Sequence, residues 1–158
     1  MRAQTDNIGN VKFPDWVMSG VAKDFVDLHR PYLESPVQFM YMAFLTCLGA
    51  LLSRTLTLET AVKVQPRLYT LLLGPSGSSR KSTVMRVTID FFKTLFNATQ
   101  GIGFNICAGV GSDIGLLLQL MASKAVLLFL DELKQLISKS GIKGSNLLPC
   151  AATLFDNS

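Results

Sequence analysis

The sequence holds one histidine, one tryptophan and three cysteines, and only 16% of its 158 residues are charged. Each shortage excludes something. Cys47, Cys107 and Cys150 are far apart, odd in number and without a C-x-x-C spacing, so neither a disulfide framework nor a thiolate zinc site is expected. His29 is too isolated to complete a metal site with them. The low charge, beside an apolar fraction of 49%, excludes a disordered chain. The net charge of +4 suits a nucleotide or nucleic-acid partner but is diagnostic of neither. No internal repeat or low-complexity tract is visible. The start, MRAQTDNIGNVKFPDW, lacks a basic segment followed by an apolar run and does not read as a secretory signal. With unpaired cysteines, this makes a reducing cytoplasm the expected location.

What is present is a core. A chain of about 150 residues buries roughly 68–70% of its unfolded surface. The longest apolar run, VQFMYMAFLTCLGALL from Val37 to Leu52, is open to two readings. As a helix it would span about 24 Å, short of a hydrocarbon layer of about 30 Å. It also carries Gln38 and Thr46. A buried core helix is therefore expected, and not a membrane span.

Around this run, apolar spacing predicts a first helix from about Asp15 to Arg30, ended by Pro31, with Trp16, Phe13 and Phe25 packed in the core. Pro36 is placed to start the second helix. Thr55 to Thr60 alternates like a strand. Leu68 to Leu73, LYTLLL, is almost continuously apolar, as in a strand buried on both faces of a parallel sheet. A Gly/Ser/Pro loop follows, then a helix from Lys81 to about Asn97, a strand from Phe104 to Ala108, and a helix capped by Ser112 or Asp113. AVLLFL, Ala125 to Leu130, reads as a third buried strand. Strands alternating with helices predict an α/β fold, a P-loop NTPase core with a mainly parallel sheet behind a helical N-terminal segment. The expected division is 1–60, the helical lead, and 61–158, the core. The chain stops inside what reads as a helix at Leu154 to Ser158, so a fragment incomplete at its C-terminus is expected.

The loop carries chemistry. A phosphate cradle needs a strand to fix its start, small residues that let backbone N–H groups point inward, a lysine, a hydroxyl for Mg²⁺, and a helix N-terminus facing the anion. Gly74, Pro75, Ser76, Gly77, Ser78, Ser79, Arg80, Lys81, Ser82 and Thr83 supply these parts in order. Lys81 is expected to reach the β- and γ-phosphates, and Ser82 to bind Mg²⁺ with Thr83 in reserve. The usual pattern, G-x-x-x-x-G-K-[ST], is not matched outright: Arg80 stands where glycine is usual, and the loop is one residue longer. Two registers are open. In the preferred one Lys81 is the phosphate lysine; in the other, Ser79 replaces the second glycine and Arg80 the lysine. Arg80 in the first register either adds a phosphate contact or points to solvent. The bland alternative is a Gly/Ser turn before a helix with an incidental Lys-Ser.

AVLLFLDEL puts Asp131 and Glu132 at the carboxyl edge of a strand, where ligands sit in open α/β sheets. Asp131 is expected to hold the Mg²⁺ shell with Ser82, and Glu132 to polarise an attacking water. The bland alternative is a helix N-terminus decorated by acids, which the helix dipole favours. Lys134, Lys139 and Lys143, with Ser138, Ser140, Gly141, Gly144 and Ser145, form a basic stretch that is either a solvated loop or a contact to a phosphate backbone. Ser112 and Asp113 are candidates for supporting the ligand edge, with helix capping the preferred role.

Taken in order, FPDWV, LYTLLLGPSGSSRKST, GVGSDIGLLLQL and VLLFLDEL resemble a family of primase- and helicase-associated P-loop ATPases of phages, plasmids and other mobile elements, relatives of RecA/DnaB-type or AAA+-type motors. The resemblance runs from about residue 13 onward. It implies ATP and Mg²⁺ as cofactors, Lys81 and Glu132 as catalytic residues, single-stranded DNA as a partner, and a homo-oligomeric ring in which a neighbouring subunit completes the site. Variant loops with Arg-Lys for Gly-Lys occur in that family, which favours Lys81 as the phosphate lysine. Gly111-Ser112 would begin a helix near the nucleotide. No arginine finger or sensor residue is recognisable. Alternatives to a replication ATPase are a module that binds nucleotide without hydrolysing it, an AAA+ remodelling ATPase, and a small-molecule kinase, though no basic lid or acceptor pocket is recognisable.

Overall fold

Pro14 and Pro31 bracket the first helical stretch, but they do not make it continuous. The computed structural model describes residues 12–53, 55–59, 61, 64–98, 103–109, 112–123, 125–141 and 146–156. In it a short 3₁₀ turn, Asp15–Val17, is separated from helix α1, Gly20–His29, by extended backbone at Met18 and Ser19. Gly20 takes φ +60, a conformation open to glycine. This break corrects the expectation for Trp16: the periodicity is reset before α1, and the indole is 85% exposed instead of packed. α1 buries Ala22, Phe25 and Val26. His29 donates from Nδ1 to the Phe25 carbonyl at 2.8 Å and stacks on the Phe25 ring, a structural use of the chain's one histidine.

Helix α2, Val37–Leu52, starts after Pro36 as expected and is the central element. Its residues Met40, Tyr41, Ala43, Phe44 and Cys47 are buried. Tyr41 donates its hydroxyl to the Val17 carbonyl at 2.9 Å, tying the 3₁₀ turn to α2. Among the described residues no helix is long and apolar enough to cross a membrane. Helix α3, Lys81–Ala98, lies against α2 through Val84, Ile89 and Phe92. Phenylalanines join these helices: Phe25 to Phe44 at 4.9 Å, Phe44 to Phe92 at 5.2 Å, and Phe92 to Phe104 at 6.0 Å between ring centroids. Aromatic pairs at such spacings add about 0.5–1.5 kcal/mol each beyond their area. One cluster of buried side chains therefore runs from α1 through α2 and α3 to Leu127 of the sheet.

Among the described residues the sheet has two parallel strands. β1, Asn105–Ala108, pairs with β2, Val126–Phe129, in the register Asn105 to Val126 through Ala108 to Phe129. Helix α4, Asp113–Ala122, connects them, the crossover that parallel pairing requires. Ser112 caps α4, its Oγ accepting from the Gly115 N–H at 3.1 Å. Helices α5, Leu133–Ser140, and α6, Leu147–Asp156, follow. The fold is α/β: helices around a small parallel sheet.

Two expected strands do not form among the described residues. Thr55 to Glu59 contributes only one antiparallel bridge, Leu58 to Val64; Thr60 lies outside the described residues. Leu68 to Leu73 takes no regular secondary structure and joins no ladder, and Leu71 and Leu73 are exposed rather than buried on two faces. Side chains hold this segment instead. Thr70 and Thr46 of α2 share a hydrogen bond of 2.6 Å between hydroxyls. Tyr69 donates to the Ala151 carbonyl at 2.5 Å and Arg67 to that of Leu154 at 2.7 Å, both on α6. The segment thus sits between α2 and α6.

Gly49 makes that placement possible. A Cβ there would fall on the Pro66 carbonyl oxygen, which is backbone and cannot swing away. Gly49→Ala is expected to destabilise the fold by about 1–3 kcal/mol, as overpacking does. A urea melt reads it, and a midpoint equal to wild type would show that the 66–70 segment is not pinned to α2.

Cys47, fully inside, has its thiol pushed up from 9.0 to about 12 by burial. The folded protein keeps the thiol protonated where the unfolded chain would ionise it. This contribution to stability is present below about pH 9 and is lost as pH rises toward about 12. In the folded protein Cys47 is expected to react with a thiol reagent at least about a hundredfold more slowly than in denaturant, because the thiolate is the nucleophile. Alkaline destabilisation in this window should be smaller in Cys47→Ala, and equal losses in both proteins would exclude Cys47 as its source.

Candidate functional site

The loop between the 65–75 segment and α3 is built to bring its ends together. Residues 76–79 form a turn, with the Ser78 N–H donating to the Ser76 carbonyl at 3.0 Å and Gly77 at φ +79. Gly74 faces Ser79 so closely that a Cβ at 74 would collide with the serine side chain. Lys81, the first residue of α3, folds its side chain back across the loop. Its Nζ donates to the Gly74 carbonyl at 2.6 Å and to that of Pro75 at 3.2 Å. The first bond of α3, Val84 N–H to the Arg80 carbonyl at 3.0 Å, makes Arg80 the residue that turns the chain into the helix. Arg80 does so at φ +49, the conformation that a glycine adopts without cost. Its backbone therefore takes a conformation that glycine would adopt at that position.

The acidic pair arrives from the other side. β2 ends at Phe129, and its carboxyl end carries Asp131 and Glu132 to the start of α5. Ser82 Oγ donates to Asp131 Oδ1 at 2.5 Å, joining residues 49 positions apart. Glu132 stands at the N-cap position of α5 without making a side-chain cap bond. Its carboxylate is therefore not spent on the helix end. A cavity of about 420 Å³ is lined by Ser76, Gly77, Arg80, Lys81, Ser82, Thr83, Asp131 and Glu132. This is within the usual range of small-molecule sites, about 300–1,000 Å³. A smaller hollow of about 110 Å³ beside it, lined by Ala108, Gly109, Phe129, Leu130 and Asp131, shares Asp131.

Not every expected residue lines the cavity. Gly74 and Pro75 are not in its lining and offer their carbonyls to Lys81. Ser78 is exposed on the turn. Ser79 is buried beneath the loop, where its carbonyl accepts from Ser35 Oγ at 3.2 Å. Ser112 caps α4, and neither it nor Asp113 lines the cavity. Gly111, Lys143, Gly144 and Ser145 lie outside the described residues, as does the Lys139 side chain. Ser35, which anchors the loop from the α1–α2 connection, was not foreseeable: no local pattern links it to a partner 44 residues away.

The donors fit one cation class. Among the described residues no cluster of three His, Cys, Asp or Glu side chains exists, so a site made wholly of protein ligands is not offered there. Ser82 and Asp131 present two hard oxygens side by side. Mg²⁺ is commonly held this way, by one or two protein oxygens together with substrate phosphates and water.

Comparison of the chain with protein-family models, with curated proteins and with solved structures finds no match.

Proposed function

We propose that this cavity binds the phosphates of a nucleoside triphosphate, ATP with Mg²⁺, and that the chain is the nucleotide-binding part of a P-loop NTPase. The observation that carries the reading is the Ser82–Asp131 hydrogen bond at 2.5 Å. It joins the end of a phosphate-loop-like turn to the end of a strand, two pieces of sequence that a chance Gly/Ser turn would have no reason to bring together. Lys81 beside that pair supplies a cation, and the start of α3 supplies N–H groups and the positive end of a helix dipole. Ser82 and Asp131 would hold Mg²⁺, which neutralises phosphate charge when bound. Lys81 orients the phosphates, and Glu132, on the same cavity wall, accepts a proton from the attacking water.

The larger role follows the resemblance. Hydrolysis of ATP is coupled to DNA unwinding or primer synthesis, with single-stranded DNA as the polymer and a ring of copies as the assembly. Titration of the protein with ATP, with and without Mg²⁺, tests the site. Saturable binding strengthened by Mg²⁺ is expected, and its absence sinks the reading. Turnover measured with and without single-stranded DNA then separates the roles. Stimulation by DNA supports a replication motor, turnover indifferent to DNA favours a remodelling ATPase, and binding without turnover favours an assembly module.

A further inference from the structure

Arg80 is, among the described residues, the one non-glycine residue at positive φ. The left-handed conformation crowds any side chain with a Cβ, and glycine takes it freely. An arginine here is a poor choice for the backbone alone. Arg80 lines the cavity next to Lys81. Among the described residues the guanidinium has no hydrogen-bond or ion-pair partner, whereas Lys81 is held by two carbonyls and Asp131 by Ser82. The cavity is thus walled by two cations, Arg80 and Lys81, and two carboxylates, Asp131 and Glu132. With glycine at position 80 the same wall would be net negative, an unfavourable surface for a polyanion. The planar guanidinium suits phosphate oxygens, which it can bind through two parallel N–H bonds.

We infer that Arg80 is a second phosphate-binding cation of this site, contacting the polyphosphate chain beside Lys81 and contributing to the preference for nucleotides that carry one. The inference rests on the nucleotide reading above and deepens it.

Two requirements at position 80 can be separated by substitution, because they rank the variants in opposite orders. Arg80→Gly frees the backbone and removes the cation. Arg80→Lys keeps a cation on a backbone still disfavoured. Arg80→Asn is a second neutral variant that tolerates the left-handed region. Affinity for Mg²⁺-ATP and for Mg²⁺-tripolyphosphate, which has no base or sugar, is measured for each, together with the thermal midpoint. Loss of one charge-assisted contact is expected to weaken both ligands about tenfold or more in Arg80→Gly and Arg80→Asn. Arg80→Lys is expected to recover part of the loss. The midpoint of Arg80→Gly is expected to stay level or rise. Wild-type affinity in Arg80→Gly, or Arg80→Lys no better than Arg80→Gly, overturns the inference while leaving the nucleotide site standing. A wild-type protein that binds neither ligand ends both.

Discussion

Replacing Lys81 by alanine is expected to weaken Mg²⁺-ATP binding about a hundredfold while leaving the thermal midpoint within a few degrees of wild type. A hydrogen bond to a charged group contributes about 1.5–3 kcal/mol, and an ammonium reaching two phosphate oxygens makes more than one such bond. In the structure the same ammonium is engaged with the Gly74 and Pro75 carbonyls, at 2.6 and 3.2 Å. Both acceptors are exposed, so removing Lys81 returns them to water and costs the fold little. The effect therefore separates into a large change in affinity and a small one in stability. Equilibrium titration and a thermal melt on the same preparation check both. Binding within about threefold of wild type would show that Lys81 is only a clasp across the loop, and the site assignment would fall.

Glu132→Gln is expected to lower turnover by about 10²–10⁴, the usual contribution of a positioned base, with nucleotide affinity retained. The substitution keeps the shape of the side chain and removes its capacity to accept a proton. The alternative role for Glu132, satisfying the N-terminus of α5, is not the one its side chain performs: it makes no cap bond and lines the cavity with Asp131. Single-turnover measurement with saturating Mg²⁺-ATP isolates the chemical step from binding. Unchanged turnover would remove Glu132 from the mechanism. A parallel loss of binding would mean that the carboxylate belongs to the metal shell with Asp131.

Much of this arrangement is legible in the sequence, for identifiable reasons. α2 and α3 could be bounded almost to the residue: Pro36 fixes one start, and the apolar sets of both helices recur at helical spacing. β1 and β2 were legible as short apolar runs framed by turn residues, and Ser112 as a cap by its position before an amphipathic run. The turn before α3 was legible because a Gly/Ser run ending in Lys-Ser is a local pattern. The first helix was misjudged because extended backbone at Met18 and Ser19 resets its phase, and the 85% exposure of Trp16 follows. LYTLLL was misjudged for a different reason. Apolar, β-prone residues state that a segment can be extended, but not which edge it pairs with, since strand preference depends on packing context. Here Thr46, Ala151 and Leu154 hold it by hydrogen bonds from α2 and α6.

By itself, then, the sequence determined helices α2 and α3, strands β1 and β2, and which residue types each segment carries: a Gly/Ser loop ending in Lys-Ser, a strand followed by Asp-Glu, and a central apolar helix. Those properties depend on neighbours a few residues away. Only the tertiary structure decided that Ser82 meets Asp131, that Ser35 braces the loop at Ser79, that Lys81 closes on Gly74, and that Arg80 bears a left-handed backbone beside the cavity. The Ser82 and Ser35 contacts join residues 49 and 44 positions apart. No local pattern links such residues; the phenylalanine-rich core that packs α2, α3 and Leu127 of β2 into one cluster brings these segments together.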